Sequence, residues 1–328
     1  MRAMLPLPCW SISILLLTLP TGVWASCGSD DCPIDLHRHQ LVAGRFSFDA
    51  SLQYIDQDEV QAGTEKTTVG ALPAPEDEVR TLSRIYALTG RARLQPRLGI
   101  TLALPYIDRV HQHIPDEGGV PGELADFRFS GLGDLLTSAR WIALGDPGGR
   151  SASLLVGLKL PTGERNVDEI DGEQPEPTVR PGTGSVDAIA GVHLVTGVST
   201  RALDGTSVDA PLFLGLQYRV NGKGTEDYRI GDEFQLNAGG EYPLTGAFDL
   251  LAQFNLRVRG KDDAGETDAL PDNTGGTWFY LSPGLRVRTG SPLGLFAYVQ
   301  IPVYQKVNGI QLVSPYHLLF GTSVTLPH

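Results

Sequence analysis

Phe248-Asp249-Leu250-Leu251-Ala252-Gln253-Phe254-Asn255-Leu256-Arg257-Val258-Arg259 decides the fold. In an extended chain Phe248, Leu250, Ala252, Phe254, Leu256 and Val258 share one side, with Asp249, Gln253, Asn255, Arg257 and Arg259 on the other. A period of two is the mark of a β-strand, because successive side chains point to opposite faces. The same alternation runs through residues 46–54, 98–106 and 152–160. About twelve such segments are centred near residues 48, 88, 102, 138, 156, 191, 215, 235, 253, 282, 299 and 319. Each is roughly 10–14 residues long, against about five or six for a soluble strand.

Strands of about 9–11 residues or more, tilted, are what a bilayer requires. An even count with apolar-out, polar-in alternation predicts an antiparallel transmembrane outer-membrane β-barrel of about 12 strands, with 10–14 open. The connections give an independent test, since such barrels have long outer loops and short periplasmic turns. Long connections are expected at 56–80, 107–131, 161–184 and 261–275, and short ones near 95–96, 145–149, 242–246 and 289–292. Those at 198–208 and 221–227 are intermediate in length and blur the alternation. Tyr54, Tyr106, Trp141, Tyr218, Tyr242, Trp278 and Tyr304 lie near strand ends, where aromatic girdles meet the membrane interface.

Residues 1–25 read as a secretory signal. Arg2 is a short positive region, Trp10 to Leu19 an apolar one, and Val23-Trp24-Ala25 a cleavage site. The expected divisions are a signal at 1–25, a periplasmic N-terminal segment at 26–40 and a barrel at 41–328. Removal of Cys9 with the signal leaves Cys27 and Cys32, which an oxidising periplasm is expected to join as a disulfide. A metal or redox pair is the alternative, although Cys27-Gly28-Ser29-Asp30-Asp31-Cys32 lacks Cys-x-x-Cys spacing.

The chain has 328 residues, 26 Lys+Arg and 38 Asp+Glu, a formal balance of −12. That excludes a nucleic-acid binder, which needs a basic face to displace counterions from phosphate. Thirty-nine Gly, 23 Pro and 2 Met favour a turn-rich β chain over a helical one. Much of the acid lies in the long connections, so divalent-cation bridging to lipopolysaccharide is one expected role for them.

Gly131-Leu132-Gly133-Asp134-Leu135 followed by Gly157-Leu158-Lys159-Leu160-Pro161-Thr162-Gly163 carries a resemblance. Over roughly residues 130–328 the chain resembles the bacterial outer-membrane barrels described as meta-pathway-of-phenol-degradation proteins, often labelled transporters. The resemblance implies a barrel that passes small solutes, aromatic ones among them; with no phosphate loop, dinucleotide fingerprint or Cys-x-x-Cys-His haem site in the sequence, no cofactor is expected. It carries over no substrate-binding residue. On physical grounds Gly131 and Gly133 are expected to supply unusual φ values where a loop enters a strand.

Two rows of charge are expected to face the lumen near the outer end: Asp134, Lys159 and Asp187, then Arg219, Glu233 and Arg257. Opposite charges on neighbouring strands pair across the ladder, and such charges set ion preference in other pores. His111 and His113, beside Asp108, Asp116 and Glu117, are a candidate metal pair if extended, and His37 with His39 a weaker one. Neither His193 nor His317 has a Gly-x-Ser-x-Gly elbow nearby, so no enzyme is expected.

The expected function is an outer-membrane channel for small solutes, with outer-membrane lipid and the barrel assembly machinery as partners. The alternatives are a structural or adhesive barrel whose acidic loops bind cations or lipid, and a lipid-acting barrel enzyme. Arg at Leu250 or Phe254 is expected to be costly, and Arg at lumen-facing Gln253 to be tolerated.

Overall fold

The computed structural model describes residues 46–70, 76–115, 122–167, 175, 177–267 and 270–326. The signal, the 26–40 segment with Cys27, Cys32, His37 and His39, and Asp116 and Glu117 lie outside the described residues.

Twelve strands form the barrel. They are β1 (Phe46–Gln57), β2 (Glu76–Gln95), β3 (Leu98–Pro115), β4 (Leu135–Gly145), β5 (Ser151–Leu160) and β6 (Asp187–Arg201). The second half is β7 (Ser207–Val220), β8 (Glu233–Pro243), β9 (Phe248–Arg259), β10 (Gly276–Arg288), β11 (Leu293–Val307) and β12 (His317–Leu326). Each pairs antiparallel with its neighbours in sequence, and β1 closes on β12 from Phe46↔Leu326 to Ile55↔His317. Every expected strand centre falls inside one of them. Closure follows from the solvent, because lipid offers no partner to a free strand edge.

The two faces are sorted as the alternation requires. On β9, Leu250 is 45% and Phe254 49% exposed, facing outward, whereas Gln253 and Asn255 are 2% and 0% exposed, facing the lumen. Leu88, Leu102, Val156, Val192, Leu295 and Phe320 are likewise exposed on the outer wall. Tyr106, Trp141, Tyr218 and Tyr304 are exposed as girdle residues should be. Trp278 is not one of them. It lies in phase with Tyr280 and Ser282, buried on the lumen face.

Two expected outer loops are largely sheet. β2 and β3, of 20 and 18 residues, rise together through Glu76↔Pro115, and Ala125–Leu132 continues β4 upward along β3. Within the 56–80 region, Glu59–Ala62 and Glu65–Thr67 form a hairpin that pairs with Ile310–Val313 from the last outer connection. The alternation hides this because these strands stand in water, where no apolar face is needed. Their outer surface carries ion pairs instead: Arg80–Asp56 at 2.6 Å, and Asp108 between Arg84 (3.1 Å) and Arg128 (3.2 Å). At the other end the connections are the short segments 96–97, 146–150, 202–206, 244–247 and 289–292, with the intermediate 198–208 turn shortened by the length of β6 and β7.

Candidate functional site

The lumen is filled with side chains, arranged in levels. At its outer end, Lys159 projects from β5 between two carboxylates. Its Nζ lies 3.3 Å from Asp134 Oδ2 and 2.8 Å from Asp187 Oδ2. It also donates to Thr183 Oγ1 and, at 3.0 Å, to Ser185 Oγ. Both carboxylates are further occupied. Asp134 accepts from Gly163 N (3.0 Å), Thr183 N (3.0 Å) and Thr183 Oγ1 (2.7 Å). Asp187 accepts from Ser185 Oγ (2.7 Å) and Gly222 N (3.1 Å). The triad therefore clasps both ends of the 161–186 connection to the wall. Thr183 and Ser185 are polar loop residues with no periodicity to reveal this role.

The glycines of the two motifs supply room, not unusual φ. Neither Gly131 nor Gly133 has positive φ. A Cβ on Gly133 would lie 2.8 Å from Pro105 Cγ, and one on Gly163 2.7 Å from Gly182 Cα. These are closer approaches than any side chain permits, so the backbones of the β4 entry and of both ends of the connection touch directly. Thr162 Oγ1 completes the junction by accepting from Leu135 N at 2.9 Å.

From this clasp the described residues at each end of the connection reach the other outer segments. Val167 and Val179 pack with Phe129 and Leu312, flanked by Val60 and Phe127, as an apolar cover. Arg109 on β3 donates to the carbonyls of Thr178 (3.3 Å) and Val179 (2.5 Å), and Arg180 pairs with Glu226 at 2.9 Å. The cover thus joins the 56–80, 107–131 and 161–184 connections, which the sequence presents as separate, to Leu312 of the last outer connection, and Arg180 ties it to Glu226.

The second expected row sits on the adjoining arc, where β7 pairs with β6. Arg257 Nε is 2.6 Å from Glu233 Oε2, and its guanidinium lies 5.2 Å from the Trp278 ring centre. Arg219 and Glu233 are direct cross-strand partners. Arg259, opposite Glu233 on the other side, joins the group and was not expected there. Its position in phase with Arg257 is the signal that could have found it.

Below the charges runs a neutral belt. His317 Nδ1 and Gln300 Oε1 are 2.8 Å apart; Gln300 Nε2 donates to Asn255 Oδ1 and Ser282 Oγ at 3.3 Å. Asn255 Nδ2 donates to Asn237 Oδ1 at 2.8 Å, and Gln253 Nε2 to Tyr298 Oη at 3.3 Å. This network spans β8 to β12, where each amide and hydroxyl satisfies another away from water. Nearer the periplasm, Arg91 pairs with Asp49, Arg286 with Glu241 at 2.6 Å and Arg288 with Asp249 at 2.9 Å. His193, the other wall histidine, stacks on Phe213 at 5.7 Å.

His111 and His113 do share a face, with ring centres 5.5 Å apart. His111 Nδ1 is 2.9 Å from Thr81 Oγ1 and His113 packs on Phe127 at 4.8 Å. Among the described residues no group of three or more His, Cys, Asp or Glu gathers around a common point.

The family described as "Putative MetA-pathway of phenol degradation" matches residues 85–306. No curated protein sequence matches the chain. Among solved structures it is similar to the COG4313 outer membrane channel from Pseudomonas putida F1, with TM-score 0.61, 14% identity, and 89% of this chain and 99% of that one covered. It also matches the NanC porin (TM-score 0.46, 10% identity, 85% and 100% covered) and the translocator domain of autotransporter NalP from Neisseria meningitidis (0.46, 13%, 87% and 89%). At these identities the likeness is one of fold.

Proposed function

Because the chain belongs to the MetA-pathway-of-phenol-degradation family of outer-membrane barrels, we propose that it is a channel for small solutes with an aromatic or hydrophobic body. The observation that carries the reading is the lumen itself: an apolar cover at the mouth above a belt of hydrogen-bonding side chains along β8 to β12. A polar group on a passing solute exchanges one hydrogen bond for another along such a belt, while the apolar cover suits the solute's body.

A closed structural barrel is the second reading, favoured by how fully lumen side chains such as Asn255, Ser282 and Gln300 are buried. Uptake separates the two. Liposomes carrying the purified barrel should admit small phenols or benzyl alcohol faster than protein-free liposomes, with a small conductance in planar bilayers. Identical uptake with and without the protein, together with no conductance, would sink the channel reading.

A further inference from the structure

We propose that the outer ends of β7 to β10 form a binding site for the carboxylate of a small solute with an aromatic or apolar body. This rests on the channel reading above and narrows its solute class.

Cross-strand register sets Arg219 and Arg259 on either side of Glu233, with Arg257 one inward step along β9. Glu233 is taken by Arg257 and by Gln235 Nε2. The other nearby carboxylate, Asp262, accepts from Tyr228 Oη at 2.7 Å and Gly231 N at 2.8 Å, and lies 3.9 Å from Arg259 Nε. Three guanidiniums therefore face two carboxylates that already have shorter partners.

The leftover groups are all donors. Arg259 is 3% exposed, yet its Nε and Nη1 have no hydrogen-bond partner among the described residues. The same holds for Arg219 Nε and for the indole Nε1 of Trp278, which is 2% exposed. Buried donors in native proteins are nearly always satisfied, and a cluster left with donors alone implies an absent acceptor. The excess of one positive charge matches one monovalent anion, and a carboxylate accepts charge-assisted hydrogen bonds from several donors at once. Its body would lie against Trp278, Tyr280, Val307 and Val313, which pack together beside these donors. Polar anchors on an apolar floor are the usual make-up of a small-molecule site.

The test uses the full-length mature barrel in detergent micelles. Of the four tryptophans, Trp10 and Trp24 fall within 1–25, so Trp141→Phe leaves Trp278 as the sole reporter. Benzoate is titrated against acetate, which lacks the body, and benzyl alcohol, which lacks the charge. Benzoate should change Trp278 fluorescence saturably and bind at least tenfold more tightly than either control. Arg259→Gln should weaken benzoate at least tenfold, with folding verified by heat-modifiable gel mobility. Should Arg259→Gln fail to fold, Arg219→Gln serves instead, and the three-ligand comparison on the unsubstituted site stands without either variant.

Benzyl alcohol binding as well as benzoate would overturn the anion site, acetate binding as well would overturn the apolar floor, and no binding would overturn both. Benzoate affinity unchanged in a folded arginine variant would place the ligand elsewhere and end the proposal. Saturable binding without uptake into liposomes keeps the site and sinks the channel reading. Uptake without binding does the reverse.

Discussion

Lys159 holds two carboxylates and two hydroxyls with one buried ammonium, so its removal strands Asp134 and Asp187 together. Breaking a buried ion pair by deleting one partner costs about 3–5 kcal/mol. Lys159→Met should lower stability by that order in urea unfolding from lipid vesicles, and should expose residues 161–186 to protease on folded barrels. A loss below about 1 kcal/mol, the range of exposed surface pairs, would mean the clasp is hydrated. On the outer wall, Leu250→Arg should cost about 2–4 kcal/mol near the bilayer midplane in the same assay. Gln253 was expected to accept Arg freely as a lumen position. It faces the lumen, but is 2% exposed beside Asn255 and Tyr298, so Arg there overpacks a filled interior.

At the scale of elements, the 161–186 connection does what its sequence does not announce. Its glycine ends pack backbone to backbone, with a Cβ on Gly182 falling 2.5 Å from the Gly163 carbonyl carbon. Gly182→Ala should therefore destabilise by about 1–3 kcal/mol through overpacking, whereas Gly246→Ala meets no neighbour within 4 Å and has no left-handed φ to strain. Equilibrium unfolding of the two variants tests the contrast. Replacing residues 166–180 by a short glycine-serine linker removes Val167 and Val179 from the apolar cover. Planar-bilayer conductance should rise severalfold; an unchanged conductance would show that the neutral belt, not the cover, is the narrowest point.

For the whole molecule, closure and loop length together set orientation. An epitope inserted after Gly63, where a Cβ would meet nothing within 4 Å, should be reached by antibody on intact cells. One inserted after Gly148, in the short 146–150 turn, should be reached only after the outer membrane is breached. Surface labelling at Gly148 would invert the barrel. Gly265 is a poorer position than its place in a long connection suggests, because Asp227 backbone lies 2.4 Å from where a Cβ would stand. Described parts of the outer connections pack on one another, while the periplasmic turns are single and short.

Twelve strands, their inward and outward faces and the long and short sets of connections were legible because lipid imposes a period of two and a loop asymmetry on the chain itself. Both rows of lumen charge, Asp134 with Lys159 and Asp187 and Arg219 with Glu233 and Arg257, were legible for the same reason: register puts matching positions of neighbouring strands side by side. What only the tertiary structure decided lies where the lipid constraint stops. Above the membrane β2, β3 and the start of β4 carry charge on their outer surface, so their sheet has no apolar stripe to read. Thr183, Ser185 and Val179 reach their partners through loop closure, which no local pattern encodes. Residue type and a strand-end position put Trp278 at the interface, whereas the structure buries it in the lumen, in phase with Tyr280 and Ser282. Phase prevailed, because a twelve-strand ring fixes every side chain's direction from its neighbours, and that same phase set the indole beside Arg257 and the unpaired donors of Arg259.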